Sequence, residues 1–211
     1  LIPAFALGRT QELLAIVLQA IEAKKLPRIP VYCAGLGMDL VDYLDAIARR
    51  TGLVKFRRAI VRKLKVQPIQ GKLRPGQEPG ARGLYILSSG MMVENTPSYA
   101  MAATLLAKHH NTLCFVGYCD PDTPGGKLLA TAHGSNFVFE KLDYVTPVHA
   151  RVERFDLSGH AGREEILEFL LKSNPRAVVL THGDPEARTW FNQALAELAP
   201  KVAVTDPETG I

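Results

Sequence analysis

Ala177-Val178-Val179-Leu180-Thr181-His182-Gly183-Asp184-Pro185 sets an apolar run directly before a histidine, a glycine and a proline-led segment. The run reads as a buried strand over 177–181, and Pro185, suited to a first helical position, opens a helix over 185–198. Residues 163–172 read as a helix before it and 201–204 as a strand after it. Helix, strand, helix and strand at this spacing require crossover connections, hence parallel strands. One turn further back, Ser158-Gly159-His160 precedes the 163–172 helix much as His182 precedes 185–198. A helix of that length returns the chain, so both imidazoles are expected at one edge of a sheet, where α/β folds build ligand sites.

The same alternation runs through the rest of the chain. Thr10 is a plausible N-cap for a helix of about 15 residues with Leu13, Leu14, Val17, Leu18 and Ile21 on one face. A buried strand is expected at 29–34, a helix at 38–50 with Leu40, Val41, Leu44 and Ile47 inward, and an irregular, proline-containing excursion at 51–82. Strands at 84–87, 112–117, 136–140 and 148–156 are interleaved with a helix over 97–108 and a short one after the turn at 120–126. The fold class is α/β, with a parallel-rich sheet flanked by helices.

Of 211 residues, 47% are apolar and 22% charged, which is ordinary for a globular protein, and no apolar stretch is long enough to span a bilayer. The chain opens at Leu1 inside an apolar run without a signal-peptide pattern, which suggests a start cut from something longer. Three cysteines without paired spacing point away from a disulfide framework and towards a reducing, cytoplasmic setting. The net charge of +4 is uneven: Lys55, Arg57, Arg58, Arg62, Lys63, Lys65, Lys72 and Arg74 form a stretch without an acid, and the remainder is mildly acidic. Such a segment attracts a polyanion such as nucleic acid, or is simply a solvated face.

Three features carry chemistry. Ser88-Ser89-Gly90 stands where a strand hands over to a helix, and its small residues let backbone N–H groups approach a phosphate; a strand-to-helix turn needs small residues in any case. His182 can ligate zinc with Asp184 orienting it or capping the next helix, or can serve only as a turn hydrogen bonder. His160, between Gly159 and Ala161, has room to reach a phosphate or to act in acid–base catalysis, and Ser158 can cap the next helix. Gly35-Leu36-Gly37 lacks the third glycine of a dinucleotide fingerprint, His109 and His110 end a helix, and His133 and His149 have no visible partner. No Cys-x-x-Cys pair, nucleophile elbow or Walker loop is present.

Taken in order, the stretches Ile2–Leu14, Ser88–Met92, Val116–Tyr118, Leu157–Ala161 and Leu180–Asp184 resemble the β-CASP branch of the metallo-β-lactamase fold. The resemblance implies a β-CASP lobe over 1–145, then a partial metallo-β-lactamase α/β segment over 146–211 that returns to that domain. It makes the complete protein a zinc-dependent ribonuclease in which a metal-bound hydroxide attacks the phosphodiester. His160 would contact the scissile phosphate and assist the leaving group, His182 would ligate one of two zinc ions, and Ser88, Ser89 and Gly90 would line the RNA path.

There are departures. Gly162 stands where family members often have an aspartate two residues after the second signature histidine. The His-x-His-x-Asp-His signature that supplies most zinc ligands is absent from these 211 residues and is expected before position 1. The chain alone is therefore expected neither to retain zinc nor to hydrolyse RNA, since His182 cannot assemble a site of three or four ligands. Expected partners are single-stranded RNA, the absent N-terminal metallo-β-lactamase part and a second copy in a homodimer, with no membrane. The competing readings are a non-catalytic RNA-binding protein and a metallo-hydrolase of small molecules.

Overall fold

The computed structural model describes residues 1–53, 55–157 and 159–208. The chain forms two compact units, Leu1–Ser158 and Gly159–Ile211. In the first, the elements run β1 (Ile2–Pro3), α1 (Arg9–Glu22), β2 (Val31–Ala34), α2 (Leu36–Asp39), α3 (Val41–Thr51), α4 (Ala59–Leu64), β3 (Leu84–Leu87), α5 (Pro97–Leu105), β4 (Thr112–Phe115), α6 (Pro124–Ala130), β5 (Asn136–Phe139), β6 (Tyr144–Pro147) and β7 (Arg151–Arg154). The second holds α7 (Arg163–Ser173), β8 (Ala177–Val179), α8 (Pro185–Leu198) and β9 (Ala203–Thr205).

Strands β1, β3 and β2 form a parallel sheet in that order, β4 pairs with β7 in parallel, and Cys114 N donates to Leu1 O at 2.8 Å between β4 and the start of β1. Side chains alternate between two cores because a strand shows successive residues to opposite faces. Tyr32, Tyr85 and Leu87 join the core under α5, with Met101, Phe115 and Phe139; Val31, Cys33 and Ile86 join the other, with Leu13, Leu14 and Val17 of α1. Nearly every residue of α5 is buried, so it carries no amphipathic stripe. In the second unit β8 and β9 pair in parallel, and α7 and α8 share a small core of Leu167, Val178 and Leu195.

Several expectations are corrected. Thr10 is not a cap: α1 begins at Arg9 after Gly8, and Thr10 is a buried helical residue whose hydroxyl donates to Phe5 O at 2.9 Å. The helix expected over 38–50 is two, broken at Leu40, and Ile47 is 43% exposed while Asp45 and Ala48 turn inward. The excursion at 51–82 contains α4, a short helix that propensity alone would not hold. The strand β6 was missed; it pairs antiparallel with β5 as a hairpin. β8 is not a buried strand, since only Val178 of its three residues is covered and Val179 is 59% exposed.

Asp45 explains how α4 is held. Its carboxylate accepts from Arg58 N at 3.0 Å, at the entry to α4, and from Arg49 Nε at 2.8 Å. The Arg58 N–H first, then Arg49, hold this carboxyl below the usual carboxylate range. A group with a depressed folded pKa stabilises above its unfolded pKa, and that contribution disappears as pH falls through the folded value. Asp45→Asn is therefore expected to lower the urea midpoint at pH 7 and to cost progressively less towards pH 2; an equal loss at both would refute the role of the ionised carboxylate.

Candidate functional site

The loop at the end of β3 is shaped from three sides. Ser88 and Ser89 are half-buried and Gly90 is buried, with a cis peptide bond between the two serines. α5 starts at Pro97, where the sequence places it, after a turn in which Met92 and Asn95 take positive φ and Met92 is fully buried. Ser98 N donates to Ser88 O at 3.0 Å and Ser98 Oγ donates to Ser89 O at 2.7 Å, so carbonyls of the loop itself meet the start of α5. Ser89 Oγ accepts from Val93 N at 2.9 Å. On the far side Gly125 N donates to Met91 O at 2.8 Å. Gly35 closes the third side: a Cβ there would lie 2.5 Å from Ser88 Oγ, and its φ of +85° also suits glycine. That close approach, not a dinucleotide, accounts for this glycine.

In the second unit each histidine precedes a helix: His160 lies before α7, and His182 follows β8 at its C-terminal end and precedes α8. Arg163 stacks over the Trp190 ring, 4.7 Å from its centroid, and ties the beginning of α7 to α8. His160 and His182 are both exposed; Ser158 lies outside the described residues. His182 adopts φ +61° and Gly183 φ +104°, so the turn after β8 passes through two successive positive-φ residues. Asp184 holds the N-cap position of α8 but makes no side-chain cap; Pro185 starts the helix, and Asp184 O accepts from Arg188 N at 3.1 Å. Gly162 N donates to Glu165 Oε2 at 2.7 Å, which closes the first turn of α7 without a side chain at 162.

Sequence reasoning missed three sets of partners. Asp206, just past β9, accepts from Arg188 Nη1 at 2.7 Å and so places a carboxylate at the edge that bears His182. His110 Nε2 lies 2.7 Å from Glu78 Oε1, and Asn111 and His110 hold the Glu78 carboxyl below its usual range. His133 does have a partner: its Nε2 lies 3.2 Å from His149 O, with the two rings 6.2 Å apart. Only tertiary contact unites these pairs, and no local spacing announces them. All eight basic side chains between 55 and 74 are exposed, with Arg58 paired to Asp42 and Lys63 to Glu22. Burial pushes the Cys33 thiol up to about 12 and Cys119 up to about 11, as for thiols that only pack.

Among the described residues no three His, Cys, Asp or Glu side chains stand together where a metal ion could be held. The described residues therefore do not by themselves fit a closed zinc centre.

Residues 10–128 match the family described as the Beta-Casp domain, and residues 145–204 match the Zn-dependent metallo-hydrolase RNA specificity domain. The chain is 31% identical over 219 residues to RNase aCSPSF2 of Saccharolobus solfataricus, covering 100% of this chain and 40% of that protein. It is 29% identical to the Integrator complex subunit 11 homolog of Dictyostelium discoideum, over 92% of this chain and 27% of the relative. Similarity to the transcription termination factor FttA of a Lokiarchaeum is 25%, over 87% and 30% of the two chains. The 211 residues thus span less than half the length of each of these relatives.

Proposed function

The chain belongs to the β-CASP family of metallo-β-lactamase-fold ribonucleases, and from that membership we propose that it is the RNA-processing module of a zinc-dependent phosphodiesterase. The observation that carries the reading is the pairing, in one chain and in order, of a Beta-Casp domain with an RNA specificity domain. The substrate is RNA, in single-stranded form, and the setting is cytoplasmic. His160 touches the scissile phosphate and assists the leaving group. His182 is one metal ligand, and the remaining ligands come from outside these described residues, on a metallo-β-lactamase part. Ser88, Ser89 and Gly90 line the path of the RNA backbone. The exposure of both imidazoles, each before a helix of the second unit, supports these roles. We take the functional division at about residue 145, a reading supported by the RNA specificity match beginning there.

The chain alone binds single-stranded RNA without cutting it. A fluorescent oligonucleotide titrated with the 211-residue chain, with and without zinc, tests both halves of that statement. The expected result is binding that weakens steeply between 50 and 200 mM salt, because phosphate contacts release counterions, with no cleavage. His182-dependent cleavage would overturn the inactivity of the chain, and salt-insensitive or absent RNA binding would favour a hydrolase of small molecules.

A further inference from the structure

Away from the candidate site, the structure joins two basic stretches that are distant in sequence. α4 packs against α1, so the turn after α1 and the end of α4 meet just before β2. Two adjoining hollows result. One, about 260 Å³, is lined by Arg28, Lys63 and Lys65 over apolar Ile21 and Leu64. The other, about 520 Å³, is lined by Lys24 and Arg28 and shares Ile21 with the first. All four cations are exposed. Glu22 Oε1 accepts from Lys63 Nζ at 3.0 Å, while Lys24, Arg28 and Lys65 have no carboxylate in ion-pair range among the described residues. No acid occurs in sequence between 23 and 38 or between 55 and 74, so the groove has a single sign of charge apart from Glu22.

Its place in the fold separates it from the candidate phosphate loop. Arg28 precedes β2, and Gln67, just past Lys65, donates its N–H to Val31 O at 2.9 Å. The groove is thus at the N-terminal edge of the parallel sheet, whereas Ser88 follows the last residue of β3 at the C-terminal edge. Four strand residues separate the two edges, roughly 13 Å at about 3.3 Å per residue.

We infer that this groove is a second RNA site, an anchor for the phosphodiester backbone of a segment that is not being cut; it rests on the RNA-processing reading above. Three cations free of carboxylate partners, spread over two adjoining hollows that share apolar Ile21, suit a chain of phosphates with riboses or bases against aliphatic carbon. Such contacts position the strand without reading its sequence.

The triple variant Lys24→Gln, Arg28→Gln, Lys65→Gln of the full 211-residue chain tests this with a 24-nucleotide single-stranded RNA at 50, 100 and 200 mM salt. Each lost phosphate contact removes about 0.7 from the slope of log affinity against log salt. The slope is expected to fall by about 2 and the Kd to rise about a hundredfold at 0.1 M salt, with an unchanged circular dichroism spectrum and urea midpoint. A triple variant that is folded and binds with wild-type slope refutes the groove while leaving the RNA reading intact. Wild-type chain that ignores RNA but holds polyglutamate through these residues makes the occupant an acidic protein and refutes RNA there. Wild-type chain that binds neither refutes both readings.

Discussion

Gly126→Ala is expected to destabilise the chain by about 3 kcal/mol, combining an overpacking penalty with loss of a cap. A Cβ at 126 would lie 2.1 Å from Asp120 O and 2.7 Å from Pro121 Cα, so the obstacle is backbone and cannot rotate aside. That carbonyl is already committed, accepting from Thr123 N at 3.0 Å and from Thr123 Oγ1 at 2.6 Å. Thr123 Oγ1 in turn accepts from Gly126 N at 3.2 Å and caps α6. Moving Asp120 to admit a methyl group therefore strains the turn and the cap together. The displacement also reaches the candidate RNA path, because the neighbouring Gly125 N bonds Met91 O beyond the Ser88–Gly90 loop. In urea the midpoint should fall by 1 M or more, given slopes of about 1–3 kcal/mol per molar. Gly117→Ala is the matched control: nothing lies within 4 Å of its added Cβ, and its φ is not in the left-handed region. It should stay within about 0.5 kcal/mol of the wild type. Equal midpoints for the two variants would sink the packing argument.

The same turn shows where reading from residues reached and where it stopped. Apolar runs with proline or glycine punctuation placed β3, β4, β8 and both helices of the second unit, because such runs and helix starts are written into local pattern. α4 left no such mark. It is six residues long and depends on Asp45, 13 positions before Arg58, for its first hydrogen bond. Ile47 fits the apolar stripe of α3 but faces outward, since the helix is broken at Leu40 and its phase is reset. The candidate site was legible as two histidine turns because each abuts a helix start. Asp206, the Glu78–His110 pair and the His133–His149 contact were not, because the chain that unites them is folded back over long separations.

His160→Ala, in the polypeptide that carries the remaining zinc ligands, is expected to lower kcat by about 10²- to 10⁴-fold, the usual loss when a positioned acid–base group is removed. RNA affinity should stay within about threefold, because the basic groove and the exposed cations of 55–74, not one imidazole, carry the electrostatic attraction. Zinc content should be unchanged, whereas His182→Ala should lose metal as well as turnover. The two histidines are thus expected to give different signatures. Local structure supports this division. The turn after His160 is held by Gly162 N on Glu165 Oε2 and by Arg163 over Trp190. His182 instead stands in a left-handed backbone position beside Gly183. The measurements are single-turnover rate, RNA Kd and zinc per chain for each variant. A His160→Ala protein with full turnover removes His160 from the chemistry, and one that sheds zinc makes it a ligand and not a phosphate contact.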